Sequence, residues 1–332
     1  MIDLWKKLRY NIYNEDFKEY IMEKRILVVS SANMDFVMNM RSLPSAGQTI
    51  IESGSYNFVP GGKGANSAVA IRRLGGDCVF CTRLGNDANG VLLNNLYKKE
   101  GIDTRFIAKD EQNATGLAAI MVEDNGVNRI VVYPGANLCI TPDDIDNAMT
   151  CYPDALFMQL EIDPEAIIYA ANCAHKAGIP IFIDAGPANK SFPLDRLPPL
   201  EVFSPNETET EIFTGISPNS PENCLRAAIA LSKIVNAHYY VIKLGGRGVY
   251  IYDGLYYHCL PTYDVKVVDT TAAGDAFTAA FTLEYLRSGD VERAGKYGNA
   301  VGSLAVSRAG AYTSLPTADE VNEFIKQRNI KL

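Results

Sequence analysis

The residues best able to do chemistry together lie in Val265–Phe277, which reads VKVVDTTAAGDAF. A strand is predicted to end at Asp269, small residues turn the chain, and a helix opens near Gly274. The first amides of a helix have no partner inside it and carry the positive end of its dipole. Ala272, Ala273 and Gly274 leave those amides uncovered, so an anion such as a transferring phosphoryl group can come close. Asp275 would then stand where a carboxylate takes a proton from a hydroxyl attacking that group. An ordinary strand-to-helix turn with an aspartate near its start has the same residues, and the stretch alone leaves both readings open.

Three further segments offer donors or ligands. Gly61-Gly62-Lys63-Gly64-Ala65-Asn66 is not a Walker P-loop, because Lys63 is followed by Gly64 and Asn57 stands where the first glycine belongs. It is a glycine-rich turn into a helix over Ala65–Leu74, with Lys63 and Asn66 as donors to a ligand, or simply a turn that needs positive φ. In Pro205-Asn206-Glu207-Thr208-Glu209, Asn206 and Glu209 have capping-box spacing. They equally suit a phosphate contact at Asn206 and a water of hydrated Mg²⁺ at Glu209. In Ile242–Gly248 a strand runs into a glycine turn, which suits a nucleotide contact but is a short signal.

Such segments need a frame that brings them to one place. Strands are predicted at Arg25–Ser30, Cys78–Thr82, Ala155–Leu160, Pro180–Asp184, Val202–Ser204 and Tyr239–Leu244. Helices fall between many of them, at Ala65–Leu74, Gly90–Glu100, Pro164–Ala177 and Pro221–Ile234, with another at Asp275–Arg287. That alternation describes an α/β fold, a mostly parallel sheet with helices on both faces, whose ligands sit at the carboxyl ends of the strands. Two segments, at about 36–60 and 113–134, break it. Phe36–Met40 and Thr49–Val59 read as strands with no helix between them, and Gly116–Glu123 with Arg129–Tyr133 as a hairpin around Asp124-Asn125-Gly126. Both are expected in a small β-sheet flap beside the main sheet.

Composition narrows the partners. A 47 % hydrophobic, 21 % charged chain of 332 residues is ordinary for a soluble domain with a sizeable core. A formal charge of −8 without Lys/Arg clusters argues against nucleic acid, and no apolar run reaches membrane-spanning length. Seven scattered cysteines do not form a disulfide framework. Cys78 and Cys81 lie three apart on a predicted strand, so their thiols face opposite ways, and a reducing cytoplasm is the simplest setting. His175, His238 and His258 show no metal-ligand spacing. Residues 1–23 form an extension to the body at 24–332, and the apolar positions among residues 1–21 suggest an amphipathic helix.

Seven segments, in order, carry a resemblance: SANMD (31–35), GGKGAN (61–66), QLE (159–161), PNETE (205–209), KLGGRG (243–248), VDTTAAGD (268–275) and SRAGAYTS (307–314). Together they resemble the ribokinase-like (PfkB) sugar kinase family from about Lys24 to the end. The resemblance implies that Asn33, Asp35, Gly62, Lys63, Asn66 and Glu161 hold the sugar. Asp275 becomes the general base, and Ala272, Ala273 and Gly274 the anion hole. Asn206, Lys243, Leu244, Gly245, Gly246, Arg247, Gly248, Gly274 and Asn299 match nucleotide contacts, and Glu209 the Mg²⁺ site. Asp269, Thr271, Ala305, Arg308, Gly310 and Ser314 match a monovalent-cation (K⁺) site. The flap matches the family's lid, which closes over the sugar and pairs subunits into a homodimer. One departure is Lys243, where the family often carries Thr.

The function so implied is transfer of the γ-phosphoryl of ATP to a sugar hydroxymethyl, with the 5-hydroxyl of D-ribose as the expected acceptor. Deoxyribose, a ketohexose or a nucleoside would use the same chemistry. A catalytically silent sugar sensor is the rival from another class, set against it by an intact base and anion hole. A Rossmann dehydrogenase would need a G-x-G-x-x-G after the first strand, which this chain lacks.

Overall fold

A computed structural model describes residues 23–125 and 127–332; the helix expected over residues 1–21 lies outside the described residues. The strands are β1 (Arg25–Val29), β2 (Asn33–Met40), β3 (Tyr56–Gly61), β4 (Asp77–Gly85), β5 (Ile107–Asp110), β6 (Gly116–Glu123) and β7 (Asn128–Tyr133), followed by β8 (Ala155–Gln159), β9 (Ile181–Asp184), β10 (Leu200–Ser204), β11 (Ala237–Lys243), β12 (Val249–Tyr252) and β13 (Tyr257–Leu260). The helices are α1 (Lys63–Arg73), α2 (Ala88–Lys99), α3 (Pro142–Met149), α4 (Pro164–Lys176), α5 (Glu207–Thr214), α6 (Pro221–Leu231), α7 (Ala273–Ser288), α8 (Val291–Val306) and α9 (Ala318–Gln327).

Nine strands form the main sheet in the order β13-β12-β11-β10-β9-β8-β1-β4-β5. From β11 to β5 every pair is parallel, and the β11–β12 and β12–β13 pairs are antiparallel. Strands buried on both faces read as continuous apolar runs whose alternate residues serve opposite cores. Ile26, Val28, Cys78, Phe80 and Phe157 join α1, α7 and α8 on one side. Leu27, Val29, Cys81, Leu156 and Met158 join α3, α4 and α6 on the other. Cys78 and Cys81 are thus buried free thiols on opposite faces, as their spacing requires.

The flap is a separate four-stranded sheet, β3-β2-β6-β7. Its strand after Phe36–Met40 differs from the expected Thr49–Val59: β3 starts only at Tyr56. Pairing with β2 runs from Met38↔Tyr56 to Asn33↔Gly61, and before Tyr56 the one backbone–backbone bond to β2 among the described residues is from Asn39 N–H to the Ser55 carbonyl. Val265–Asp269 is likewise not a strand. The Val268 and Asp269 N–H groups bond to the Val306 carbonyl at the end of α8, so this segment lies on a helix end instead of a sheet edge.

Candidate active site

Because β1, β8, β9, β10 and β11 are parallel, their carboxyl ends share one edge, the usual ligand edge of such a sheet. That edge gathers Asn33 and Asp35 on β2 just past β1, Glu161 past β8, Asp184 ending β9, Asn206 past β10, and Lys243 ending β11.

Two helices open here, and their first turns differ. At α1 every early amide is taken: Lys63 N–H donates to Glu161 Oε2 at 2.9 Å, Gly64 N–H to Ser31 Oγ at 3.3 Å, and Ala65 N–H to the Ser31 carbonyl at 2.9 Å. Gly62 at its N-cap has φ +88°, and a Cβ there would stand 2.8 Å from the Asn33 nitrogen, so the turn can pass only as glycine. With these amides taken, what the turn presents is side chains. Asn66 Nδ2 donates to Asp275 Oδ2 at 2.8 Å, and Lys63 Nζ lies 3.5 Å from Asp275 Oδ1. Asn33 is buried and fixed by Asn137, whose Nδ2 donates to its Oδ1 at 2.7 Å.

At α7 the N-cap is Ala272 in the left-handed region, φ 60°, with no side-chain cap. Ala273 N–H has a long 3.3 Å bond to the Thr270 carbonyl, and Ala276 N–H bonds to Ala272. The Gly274 and Asp275 amides have no hydrogen-bond acceptor among the described residues. Directly on this turn sits Asp275, 5 % exposed. The uncovered helix start expected at Ala272, Ala273 and Gly274 is thus present with one shift: the Ala273 amide is held by Thr270, and the Asp275 amide is free beside that of Gly274.

Beside it lies a cavity of about 720 Å³ lined by Asn206, Lys243, Gly246, Gly274 and Asn299 among others. Lys243 Nζ donates to Asp184 Oδ2 at 2.6 Å and to Thr278 Oγ1 at 3.2 Å, and Thr278 Oγ1 donates to the same Asp184 oxygen at 2.6 Å. Two expected nucleotide contacts turn their side chains elsewhere. Leu244 packs into the core, and Arg247 Nη2 donates to Glu207 Oε1 at 2.6 Å and to the Pro218 carbonyl. Asn299 lines the cavity while its Nδ2 holds the Leu260 and Pro261 carbonyls. Asn206 and Glu209 form the capping box: Asn206 Oδ1 accepts from Glu209 N–H and Glu209 Oε2 from Asn206 N–H.

Electrostatics follow from crowding. Burial, helped by the Glu161 charge, pushes the Asp35 carboxyl up to about 7. The Asp275 carboxylate, aided by Asp184, Glu161 and Glu209, raises the Lys63 ammonium above its ordinary range despite burial. Burial raises Glu209 as well, with Lys243 pulling the other way.

Of the expected monovalent-cation residues, three are joined: Asp269 Oδ1 accepts from Thr271 N–H and Oγ–H, and Oδ2 from Gly310 N–H at 2.9 Å. Arg308 pairs with Glu320, while the Ala305 carbonyl accepts the Arg308 N–H, and Ser314 bonds locally to Ala311. Among the described residues no group of three or more His, Cys, Asp or Glu could hold a metal ion. Sequence reasoning missed Asp184, Thr278, Ser31 and Asn137. Ser31 opens the SANMD segment but was given no role; Thr278 and Asn137 sit in unremarkable contexts, and a carboxylate closing a buried strand, at Asp184, was a usable signal.

Comparison with known proteins agrees with this frame. The profile of pfkB family carbohydrate kinases matches residues 23–318. A ribokinase of Haemophilus influenzae is 32% identical over 307 residues, covering 92% of this chain and 99% of that one. A deoxyribokinase of Salmonella typhimurium is 31% identical over 305 residues, covering 90% and 98%. The structure of Arabidopsis thaliana ribokinase complexed with ribose and ATP superposes with a TM-score of 0.84 at 30% identity, covering 92% and 99%. The chain belongs to the pfkB family of carbohydrate kinases and has the ribokinase-like fold.

Proposed function

We propose that the protein transfers the γ-phosphoryl group of ATP to the 5-hydroxyl of D-ribose, with Asp275 as general base. The observation that carries this reading is one carboxylate, buried on a helix turn with free amides, gripped by Asn66 and Lys63 and next in the chain to Gly274, which lines the cavity. Asn33, Asp35 and Glu161 supply acceptors for sugar hydroxyls, and the Lys63 ammonium, 3.5 Å from Asp275 Oδ1, helps to aim that carboxylate. The hydroxyl oxygen attacks the γ-phosphorus, its proton passes to Asp275, a new P–O bond forms, and the bond to the bridging oxygen of ADP breaks. Charge on the transferred group falls on the Gly274 and Asp275 amides.

Two cations suit the residues present. Glu209 Oε1 has no hydrogen-bond donor among the described residues, and an oxygen-only site suits a hydrated Mg²⁺, which would neutralise phosphate charge. Asp269 Oδ2 keeps a free lone pair beside Gly310, which suits K⁺ near the anion hole. The buried free thiols suit a cytoplasmic setting, and no helix among the described residues is long and apolar enough to cross a membrane. Exposed apolar side chains on the flap support a homodimer formed through it.

The test is ADP release with Mg·ATP and K⁺ across D-ribose, 2-deoxyribose, fructose, tagatose, adenosine and inosine. Ribose-dependent release at low sugar concentration is expected. Preference for 2-deoxyribose, favoured by the deoxyribokinase relative, would keep the base and change the acceptor. Asp275→Asn should keep its circular dichroism and sugar binding and lose about 10²- to 10⁴-fold in turnover. Wild-type turnover in that variant would remove Asp275 from its role.

A further inference from the structure

We infer that Asp184 is a positioning residue, holding the Lys243 ammonium against the phosphoryl group in flight, and that Lys243 is the fixed cation of the nucleotide cavity. The inference rests on the proposed phosphoryl transfer and assigns the residues that neutralise its charge. Lys243 is the one basic side chain lining that cavity among the described residues. It cannot wander, because Asp184, 2 % exposed, and Thr278, fully buried, both hold its Nζ. Thr278 stands one turn beyond Gly274, whose carbonyl lies 3.1 Å from its Oγ1, so the ammonium is tied to the same turn that carries the free amides. A Cβ built on Gly274 would lie 3.9 Å from Nζ, which places the charge within contact of that turn.

A lysine stem is flexible, and a cation that must first be oriented loses much of its effect on a transition state. Asp184 removes that freedom and offsets the cost of burying the ammonium before the nucleotide arrives. As the P–O bond to ADP breaks and the bond to the sugar oxygen forms, negative charge shifts within reach of a cation already in place. Arg247, the other cation of this segment, is spent on Glu207 and leaves the task to Lys243.

The test uses the full chain with Lys243→Met, Asp184→Asn and the double variant, reading turnover, melting temperature, and calorimetric binding of ATP and AMP. Lys243→Met should weaken ATP by about 10-fold or more, leave AMP within about twofold, and lower kcat on the order of 10²-fold. Asp184→Asn should lower kcat by about 10-fold while ATP affinity is kept or improved, because the cation remains but is no longer aimed. The double variant strands no buried charge, so it should melt near the wild type, with kcat no lower than that of Lys243→Met alone. Equal losses for AMP and ATP, wild-type kcat in Lys243→Met, or additive losses in the double variant would overturn the inference. If the wild type phosphorylates none of the sugars, the functional reading falls, and the ATP-against-AMP contrast still decides the role of Lys243.

Discussion

Asp35 meets a like charge, Glu161, in a half-buried pocket, and both effects favour its neutral form, so its carboxyl titrates at about 7 instead of the ordinary 3.8. The sign of the consequence is fixed by which state holds the proton. The folded chain keeps a proton that the unfolded chain releases, so this contribution to stability is complete below the ordinary carboxylate value and is lost as pH rises through about 7. Sugar binding runs the opposite way, since an ionised Asp35 accepts hydrogen bonds from hydroxyls. The KM for sugar should therefore fall several-fold between about pH 6 and about pH 8. Asp35→Asn should flatten that profile while leaving kcat titrating with other groups. A pH-independent KM in the wild type would show that Asp35 is not the titrating acceptor.

At the scale of elements, the contrast between α1 and α7 explains what sequence could and could not reveal. Both begin after glycine- or alanine-rich turns; the sequence predicts an anion at the α7 turn and side-chain donors, Lys63 and Asn66, at the α1 turn. The α1 turn is closed by Glu161 and Ser31, which lie just past the ends of β8 and β1, while the α7 turn stays open because nothing caps Ala272. Which strand ends would stand beside which turn depends on sheet order, and sheet order is not local. Asp184 shows the same limit: it ends an apolar run with no motif around it. It joins the site only because β9 lies between β8 and β10 and faces Lys243 across β10. The alternation of strands and helices, the flap and the placement of Asp275 in a helix's first turn were legible because each rests on nearby residues. Gly62 was legible too, and it makes an element-scale prediction. Gly62→Ala forces a side chain into a sparsely populated positive-φ conformation and against the Asn33 nitrogen, costing about 1–3 kcal/mol from conformation alone. Denaturant unfolding should register that loss, and sugar KM should rise as Asn33 shifts. Unchanged stability would mean that the turn tolerates a Cβ.

For the molecule as a whole, the unsolved surface is the flap. The main sheet is covered by helices on both faces, but the four-stranded flap carries Tyr56, Phe58, Ile130, Val131, Val132 and Tyr133 exposed at 44% or more. Register divides them between its faces. Phe36 pairs with Phe58 and Ala119, and Ala119 with Val131, so these share one face, whereas Asp35, Val59, Ala118 and Val132 share the other. Ile130 lies with the Asp35 set, two residues along from Val132. Apolar side chains on both faces of a thin sheet call for cover on both, and a second flap from another copy would cover one while the sugar site takes up the other. Sedimentation of the wild type should give a dimer at micromolar concentration. Of Ile130→Asp and Val131→Asp, the substitution on the face between copies should weaken dimerisation by about 10-fold or more, and the other should leave it intact. If the flap covers the sugar in the bound state, the dimer-breaking variant should also raise sugar KM, because that cover would lose its support. A wild type that sediments as a monomer throughout, or two variants that both remain dimeric, would place the subunit contact elsewhere and leave the flap to close over sugar unaided.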